Sequence, residues 1–141
     1  MDVLTALLLL VMADRLPGGS GDYTRMVTLN GHERSYLLHV PPQYDPMTPL
    51  PVVLAFHGGG ANAATMVTFS GLNETADKAG FIVAYPDGSG RLPRMLTFNA
   101  GNCCGQAAAG NVDDIEFTRR GGTRHLRQRH DVGVFPAAPL K

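Results

Sequence analysis

The hydrophobic pattern of the chain centres on one apolar run, residues 50–56, which ends abruptly at His57 and three glycines. Residues 52–55 are apolar at every position, whereas a half-buried strand would alternate apolar and polar residues. The run therefore predicts a strand that is covered on both faces, as in a parallel sheet. The glycines at 58–60 remove every side chain just past the strand, which lets backbone amides point at a ligand.

Further strands and helices follow from the same kind of pattern. Residues 23–29 and 33–40 predict strands on either side of Asn30-Gly31, a strong signal for a two-residue hairpin. Residues 81–85 form a second continuous apolar strand. Between the two apolar strands, residues 62–69 and 72–79 favour helix, and Gly80 is in position to end the second one. The predicted fold class is therefore α/β: an antiparallel hairpin followed by a parallel βαβ unit, forming the amino-terminal part of an incomplete sheet.

Two loops are expected to meet at one rim of this sheet, because ligands bind beyond the carboxyl ends of parallel strands. They are the glycine loop and residues 86–111, and a loop of the second length is more typical of a functional segment than of a connector. Phe98, Asn99 and Asn102 are the candidates for a substrate wall. Asp113 and Asp114 follow, and a helix-capping role is favoured for them over a catalytic one.

The residues around the glycine loop narrow its chemistry. A phosphate-binding loop would need a Lys that is absent, and Ala63 stands where Gly-x-Gly-x-x-Gly requires its third glycine. A plain tight turn stays open as an alternative. His-Gly-Gly-Gly is also the loop that supplies a backbone N–H to the oxyanion hole of lipases and esterases. On that interpretation, Gly59 and Gly60 carry the donor amides, and His57 orders the turn rather than acting as a base.

Composition divides the 141 residues into three segments. Residues 1–21 contain an apolar run at 3–13, of the length of a signal-peptide core and too short to span a bilayer, and so predict export, followed by a Gly-rich linker. No basic residue precedes the run, which leaves a short amphipathic cap or a mis-assigned start as the alternative. Residues 22–118 form the predicted domain. Residues 119–141 carry 6 Lys and Arg against 1 Asp and predict a basic tail that is disordered or read out of frame.

The two cysteines, Cys103 and Cys104, are neighbours in the sequence. Adjacent α-carbons across a trans peptide lie about 3.8 Å apart, below the usual disulfide span of about 4.4 to 6.8 Å. We therefore expect each cysteine to need a partner elsewhere, and the chain contains no third cysteine.

Five motifs occur in an order that resembles one enzyme family. They are Arg34-Ser35-Tyr36-Leu37-Leu38 with Val40-Pro41, residues 51–60, Gly80-Phe81-Ile82-Val83 with Tyr85-Pro86-Asp87-Gly88, residues 102–105, and Val112-Asp113-Asp114-Ile115. Together they look like the secreted polyhydroxybutyrate depolymerase and feruloyl esterase branch of the α/β-hydrolases, over about residues 23–117. The resemblance implies an enzyme that cleaves ester bonds with a Ser-His-Asp triad and without cofactor or metal. Phe98 stands where we expect the family's Trp.

The nucleophile that this chemistry requires is not in the sequence. Acyl transfer needs a serine on a strand-to-helix elbow, Gly-x-Ser-x-Gly, and no such pentapeptide occurs in the 141 residues. Typical element lengths put the elbow about 27 residues after Val112, near the last residue. The interval instead contains a glycine pair and scattered arginines. We expect the gene to be truncated, or to leave the family's reading frame, near Phe117, and the chain to carry an oxyanion loop without catalytic residues, hence to be inactive alone.

Two non-catalytic functions stay open. The arginines of the tail could neutralise nucleic-acid phosphates, but the tail has few aromatic residues and no folded motif, so no nucleic-acid partner is expected. Alternatively, the half-sheet is a scaffold, with residues 81–85 as an open apolar edge that favours self-association. For the esterase interpretation, the partner is an ester substrate of full-length relatives, and no membrane span is predicted.

Overall fold

A computed structural model describes residues 19–120 of the chain, which form a mixed four-stranded sheet with short helices. The strands are β1 (Gly21–Leu29), β2 (His32–Val40), β3 (Val52–Leu54) and β4 (Ile82–Pro86). The helices are α1 (Ala63–Ser70), α2 (Leu72–Ala79), α3 (Gly105–Ala109) and α4 (Asp114–Phe117). The strand order is β1-β2-β4-β3. The first two strands pair antiparallel and β3 pairs parallel with β4, which confirms the predicted hairpin and crossover.

Local residue chemistry explains where the hairpin turns and where the crossover helices begin and end. Asn30 and Gly31 have φ angles of 50° and 79°, and a two-residue hairpin turn with positive φ at both positions matches the twist of its strands. Asn62 caps α1 by accepting a hydrogen bond from the Thr65 amide. Gly80 ends α2 in the left-handed conformation, with φ of 77°. Helix α3 was not predicted, because five residues, two of them glycine and glutamine, carry no apolar stripe.

The core lies on both faces of the sheet. Ile82 and Ala84 face one side, where they pack in a cluster with seven other buried residues that include Leu38 and Val40. Val83 and Tyr85 face the other side, under helices α1 and α2. All five residues of β4 are buried. The uninterrupted apolar run in the sequence follows from this burial, since successive side chains of a strand point to opposite faces.

The prediction that residues 81–85 form the open edge of the sheet is wrong. Strand β4 lies inside the sheet, because it has a partner on each side. It pairs antiparallel with β2, where His39 lies opposite Val83, and parallel with β3. Among the strands within residues 19–120, the edge strand on that side of the sheet is β3. Chain order hides this arrangement, because the pairing of β2 with β4 joins residues that are far apart in the sequence.

The expectation about the cysteines is also wrong. The structure pairs the sulfur of Cys103 with that of Cys104, across a cis peptide bond that brings their α-carbons to 3.1 Å. Our expectation assumed the trans spacing.

Several predictions concern segments outside the described residues. The apolar run at residues 3–13 that predicts a leader lies there, as do all but the first two residues of the basic tail, 119–141. Within residues 19–120, no helix is long and apolar enough to cross a bilayer.

Candidate active site

The glycine loop continues directly from β3 at its carboxyl end. The Ala55 amide still donates to the Ala84 carbonyl at 2.9 Å, which extends the parallel pairing one residue beyond the strand. The next side chain, Phe56, is 42% exposed, whereas His57 is only 5% exposed. The loop therefore begins with an aromatic ring at the surface and an imidazole inside the protein.

His57 connects the glycine loop to the loop that follows β4. Its Nδ1 lies 2.8 Å from the Gly58 carbonyl oxygen, and its Nε2 lies 3.0 Å from the Gly88 amide nitrogen. Because an amide can only donate, Nε2 is the acceptor, and Nδ1 carries the hydrogen and donates to Gly58. Both ring nitrogens are thus occupied by backbone groups. These two contacts fit the prediction that His57 orders the turn.

The two glycines predicted as oxyanion donors have different surroundings. The Gly60 amide donates to the Leu96 carbonyl at 2.9 Å, and the Leu96 amide donates in turn to the Ala61 carbonyl at 2.9 Å. The Gly59 amide has no hydrogen-bond partner within residues 19–120, and a β-carbon placed on Gly59 would meet no atom within 4 Å. The expectation therefore narrows to Gly59, whose amide is unpaired beside open space.

The three predicted wall residues are placed differently from one another. The Phe98 ring packs against His57 at 4.7 Å and edge-on against Phe56 at 5.2 Å between centroids, so it borders the start of the glycine loop. Asn99 supports its own loop instead: its side chain donates to the Val112 carbonyl and accepts from the Gly101 amide. Asn102 is exposed, further along the same loop.

Asp87 is a central residue of the rim that sequence reasoning missed. One carboxylate oxygen accepts the Ala63 amide at 2.8 Å, at the first turn of α1, where the helix dipole favours negative charge. The other oxygen accepts the Ser35 hydroxyl at 2.8 Å. Asp87 therefore fixes the helix that follows the glycine loop relative to β2. Its place directly after a buried strand was the available signal, but its partners lie 24 and 52 residues away.

A buried ion pair anchors the long rim loop from below. The Arg34 guanidinium donates to Asp114 at 2.7 Å and lies 4.1 Å from the centre of the Phe117 ring. The second Asp114 oxygen accepts the Asn99 amide at 2.6 Å. The predicted helix start is confirmed: Asp113 caps it by accepting the Glu116 amide at 2.8 Å, and Asp114 lies in the first turn, where its side chain binds Arg34 and Asn99 instead of capping the helix. The two neighbouring carboxylates cannot be distinguished in the sequence. Their roles differ because Arg34 of β2 pairs with Asp114 and not with Asp113.

Two cavities lie away from the glycine loop. One, of about 280 Å³, is an open cleft between the hairpin and helices α1 and α2, beside His39 and Tyr85. The other, of about 450 Å³, lies beneath the hairpin turn, beside Arg34 and Ser89. Neither is lined by Gly59 or Phe98. No group of three metal-binding side chains occurs in the part of the chain that the structure describes.

Comparison with solved structures shows which architecture this is. An S-formylglutathione hydrolase from Agrobacterium tumefaciens superimposes with a TM-score of 0.51 at 16% identity, over 84% of this chain and 50% of that chain. A ferulic acid esterase superimposes with a TM-score of 0.52 at 15% identity, over 81% of this chain and 49% of that chain. The chain therefore shares the fold of the corresponding part of these two enzymes. It spans about half the length of each of them.

Sequence comparison finds a similarity over a shorter stretch of the chain. The curated protein "Putative esterase NocK" of Nocardia uniformis subsp. tsuyamanensis is 42% identical over 66 residues. These residues are 45% of this chain and 19% of that protein. No family model matches the sequence. The similarity of this chain to esterases therefore consists of a shared fold and one local sequence match.

Proposed function

We propose that the chain supplies the oxyanion-stabilising part of a serine esterase of the polyhydroxybutyrate depolymerase and feruloyl esterase type. The observation that carries the proposal is the unpaired Gly59 amide just after the carboxyl end of β3. The turn that holds it is fixed by the buried His57, which hydrogen-bonds the Gly58 carbonyl and the Gly88 amide. The local identity to a protein named as an esterase supports the same reaction class.

The chemistry assigned to Gly59 is electrostatic. When a serine oxygen bonds to an ester carbonyl carbon, the carbonyl oxygen gains negative charge, and a positioned amide hydrogen stabilises that charge. One donor of this kind is worth about 2.7 to 4 kcal/mol, or about 100-fold to 1,000-fold in kcat. The second donor of an α/β-hydrolase is the amide that follows the nucleophile. Because the 141 residues contain no Gly-x-Ser-x-Gly, we propose that they do not hydrolyse esters alone.

Phe98 is proposed as a wall of the ester site, because its ring stands beside the start of the glycine loop. Secretion is proposed from the apolar run at residues 3–13. Amino-terminal sequencing of the mature protein tests the second point, since a start at Met1 would contradict export by a cleaved leader.

The test of the esterase proposal begins with the gene. Reading the DNA beyond codon 118 in the other two frames is expected to uncover a helix, a strand and Gly-x-Ser-x-Gly. The frame-restored protein is expected to hydrolyse nitrophenyl butyrate and to be labelled on serine by a fluorophosphonate, whereas the 141-residue chain is expected to do neither. Serine labelling of the 141-residue chain would contradict the proposal.

The role of Gly59 is tested in the frame-restored protein with two substitutions. Gly59→Pro removes the amide hydrogen and is expected to lower kcat about 100-fold or more. Gly59→Ala keeps it, and the added β-carbon meets no atom within 4 Å, so near-normal kcat is expected. An equal loss of kcat in both variants would contradict the oxyanion role proposed for Gly59.

A scaffold function remains the second candidate, because the three residues of β3 form an edge of the sheet. We propose that this edge, rather than β4, is where another strand pairs, either from the rest of a longer protein or from a second copy.

A further inference from the structure

A five-residue turn beside the glycine loop combines exposed apolar and exposed basic side chains. Its sequence is Arg91-Leu92-Pro93-Arg94-Met95, and every residue in it is exposed. Leu92 and Met95 are each 59% exposed, and the Met95 amide closes the turn on the Leu92 carbonyl at 3.0 Å. We call residues 91–95 the rim turn. It presents two large apolar side chains and two guanidinium groups to solvent together.

The rim turn is attached to the glycine loop by hydrogen bonds. The residue that follows it, Leu96, pairs with Gly60 and Ala61. The Asn62 side chain donates to the Pro93 carbonyl at 3.2 Å. The exposed apolar side chains are therefore held at the same rim as the proposed ester site, rather than on a distant loop.

The rim turn and the residues that flank it in the sequence carry only positive charge. No Asp or Glu occurs between Asp87 and Asp113, although residues 19–120 carry 9 acidic against 7 Lys and Arg residues in all. Arg91 and Arg94 form no ion pair with any residue of the described range. Two unpaired cations beside exposed apolar groups match a surface that is anionic outside and apolar beneath.

We propose that the rim turn docks the protein on an anionic lipid–water interface. Leu92 and Met95 enter the boundary between headgroups and acyl chains, and Arg91 and Arg94 pair with lipid phosphates. A protein partner fits less well, because specific protein interfaces use about 20 to 30 residues on each side and the rim turn has five. The proposal is independent of the ester chemistry proposed above.

The absence of Trp from the chain allows a direct test. In the full chain, Leu92→Trp creates a single fluorescent reporter on the rim turn. On vesicles of equal parts phosphatidylcholine and phosphatidylglycerol, its emission is expected to shift to the blue and to be quenched by brominated lipid. Met47→Trp is the matched control, because Met47 is 83% exposed on the proline-rich loop, and its emission is expected to stay unchanged.

The cationic part is tested by vesicle co-sedimentation. Arg91→Gln with Arg94→Gln is expected to weaken binding roughly 30-fold, since each basic side chain near an anionic surface contributes on the order of fivefold. Lys78→Gln is the control for loss of a surface cation elsewhere and is expected to bind normally. Binding is expected to fall at high salt and to be weak on phosphatidylcholine alone.

Three results would overturn the proposal. One is binding that survives the double arginine variant but is lost when Arg124, Arg127 and Arg129 are changed to Gln, which would assign the interaction to the basic tail. Another is an unshifted Leu92→Trp emission on vesicles that sediment the protein. The third is binding to soluble polyglutamate with none to vesicles, which would indicate recognition of an acidic polymer.

Discussion

The Nε2 atom of His57 accepts the Gly88 amide hydrogen at 3.0 Å, and this bond joins the two loops that form the rim. The glycine loop follows β3 and the second loop follows β4, so the imidazole connects the carboxyl ends of two parallel strands. Because the Nδ1 side of the ring holds Gly58, one buried side chain fixes both loops.

Removal of this clamp is expected to cost stability. His57→Ala leaves the Gly88 amide and the Gly58 carbonyl without their partner and opens a cavity, at an expected cost of about 2 to 4 kcal/mol. Urea unfolding measures the change. His32→Ala is the control, because His32 is exposed, and a change within about 0.5 kcal/mol is expected there. Similar losses in the two variants would show that the clamp contributes nothing specific.

Gly88 is expected to tolerate no side chain. A β-carbon at Gly88 would lie 2.5 Å from the Thr97 carbonyl oxygen and 2.8 Å from its carbon, and backbone cannot move aside as a flexible side chain can. Gly88→Ala should therefore destabilise the fold by about 1 to 3 kcal/mol in thermal or urea unfolding. Gly58→Ala, where a β-carbon meets nothing within 4 Å, should be nearly neutral. Normal stability of Gly88→Ala would mean that Gly88 and the Thr97 backbone are further apart than described.

Neighbouring carboxylates are expected to differ in their contribution to stability. Asp114→Ala removes the partner of Arg34, whose side chain is 7% exposed, and should cost about 3 to 5 kcal/mol because a buried charge is left uncompensated. Asp113→Ala removes only a helix cap and should cost about 1 kcal/mol. Unfolding free energies measured side by side test the difference. Equal costs would contradict the assigned roles.

Stability is expected to fall as pH rises above neutrality because of His39. Burial by itself lowers the pKa of His39, but hydrogen bonds to Asp22 and Asp77 outweigh burial, so the pKa is raised above 6.5. The folded state thus holds this proton more tightly than the unfolded chain. The stabilisation is complete below pH 6.5 and is lost as pH rises through the higher folded value.

Urea unfolding between about pH 6 and pH 8.5 measures this dependence. His39→Gln should flatten the curve, since no group at position 39 then titrates, whereas His32→Gln should leave its shape unchanged. A curve unaltered by His39→Gln would assign the pH dependence to other groups.

Self-association of the chain is expected to take place through the edge strand β3. Val53→Lys places a charge on this three-residue edge and should reduce concentration-dependent association measured by light scattering. Met26→Lys is the control, because Met26 is 56% exposed on β1, at the opposite edge of the sheet. If the unsubstituted chain stays monomeric at high concentration, the prediction is wrong.

Periodicity and turn residues determined every element whose cause is local. Asn30-Gly31 fixed the hairpin, Gly80 fixed the end of α2, and the apolar runs fixed the central strands. The rim position of the glycine loop followed as well, because chain order alone brings the carboxyl ends of β3 and β4 together.

Long-range contacts decided the rest, and no local pattern encodes them. Tertiary structure alone placed β4 inside the sheet and gave Asp113 and Asp114 separate roles. It also paired the Gly60 amide with the Leu96 carbonyl and left the Gly59 amide unpaired. In each case the deciding partner, β2, Arg34 or Leu96, comes from a distant part of the chain. A sequence specifies the donors and acceptors that each residue carries, whereas their pairing depends on which distant backbone the packed sheet brings within hydrogen-bonding distance.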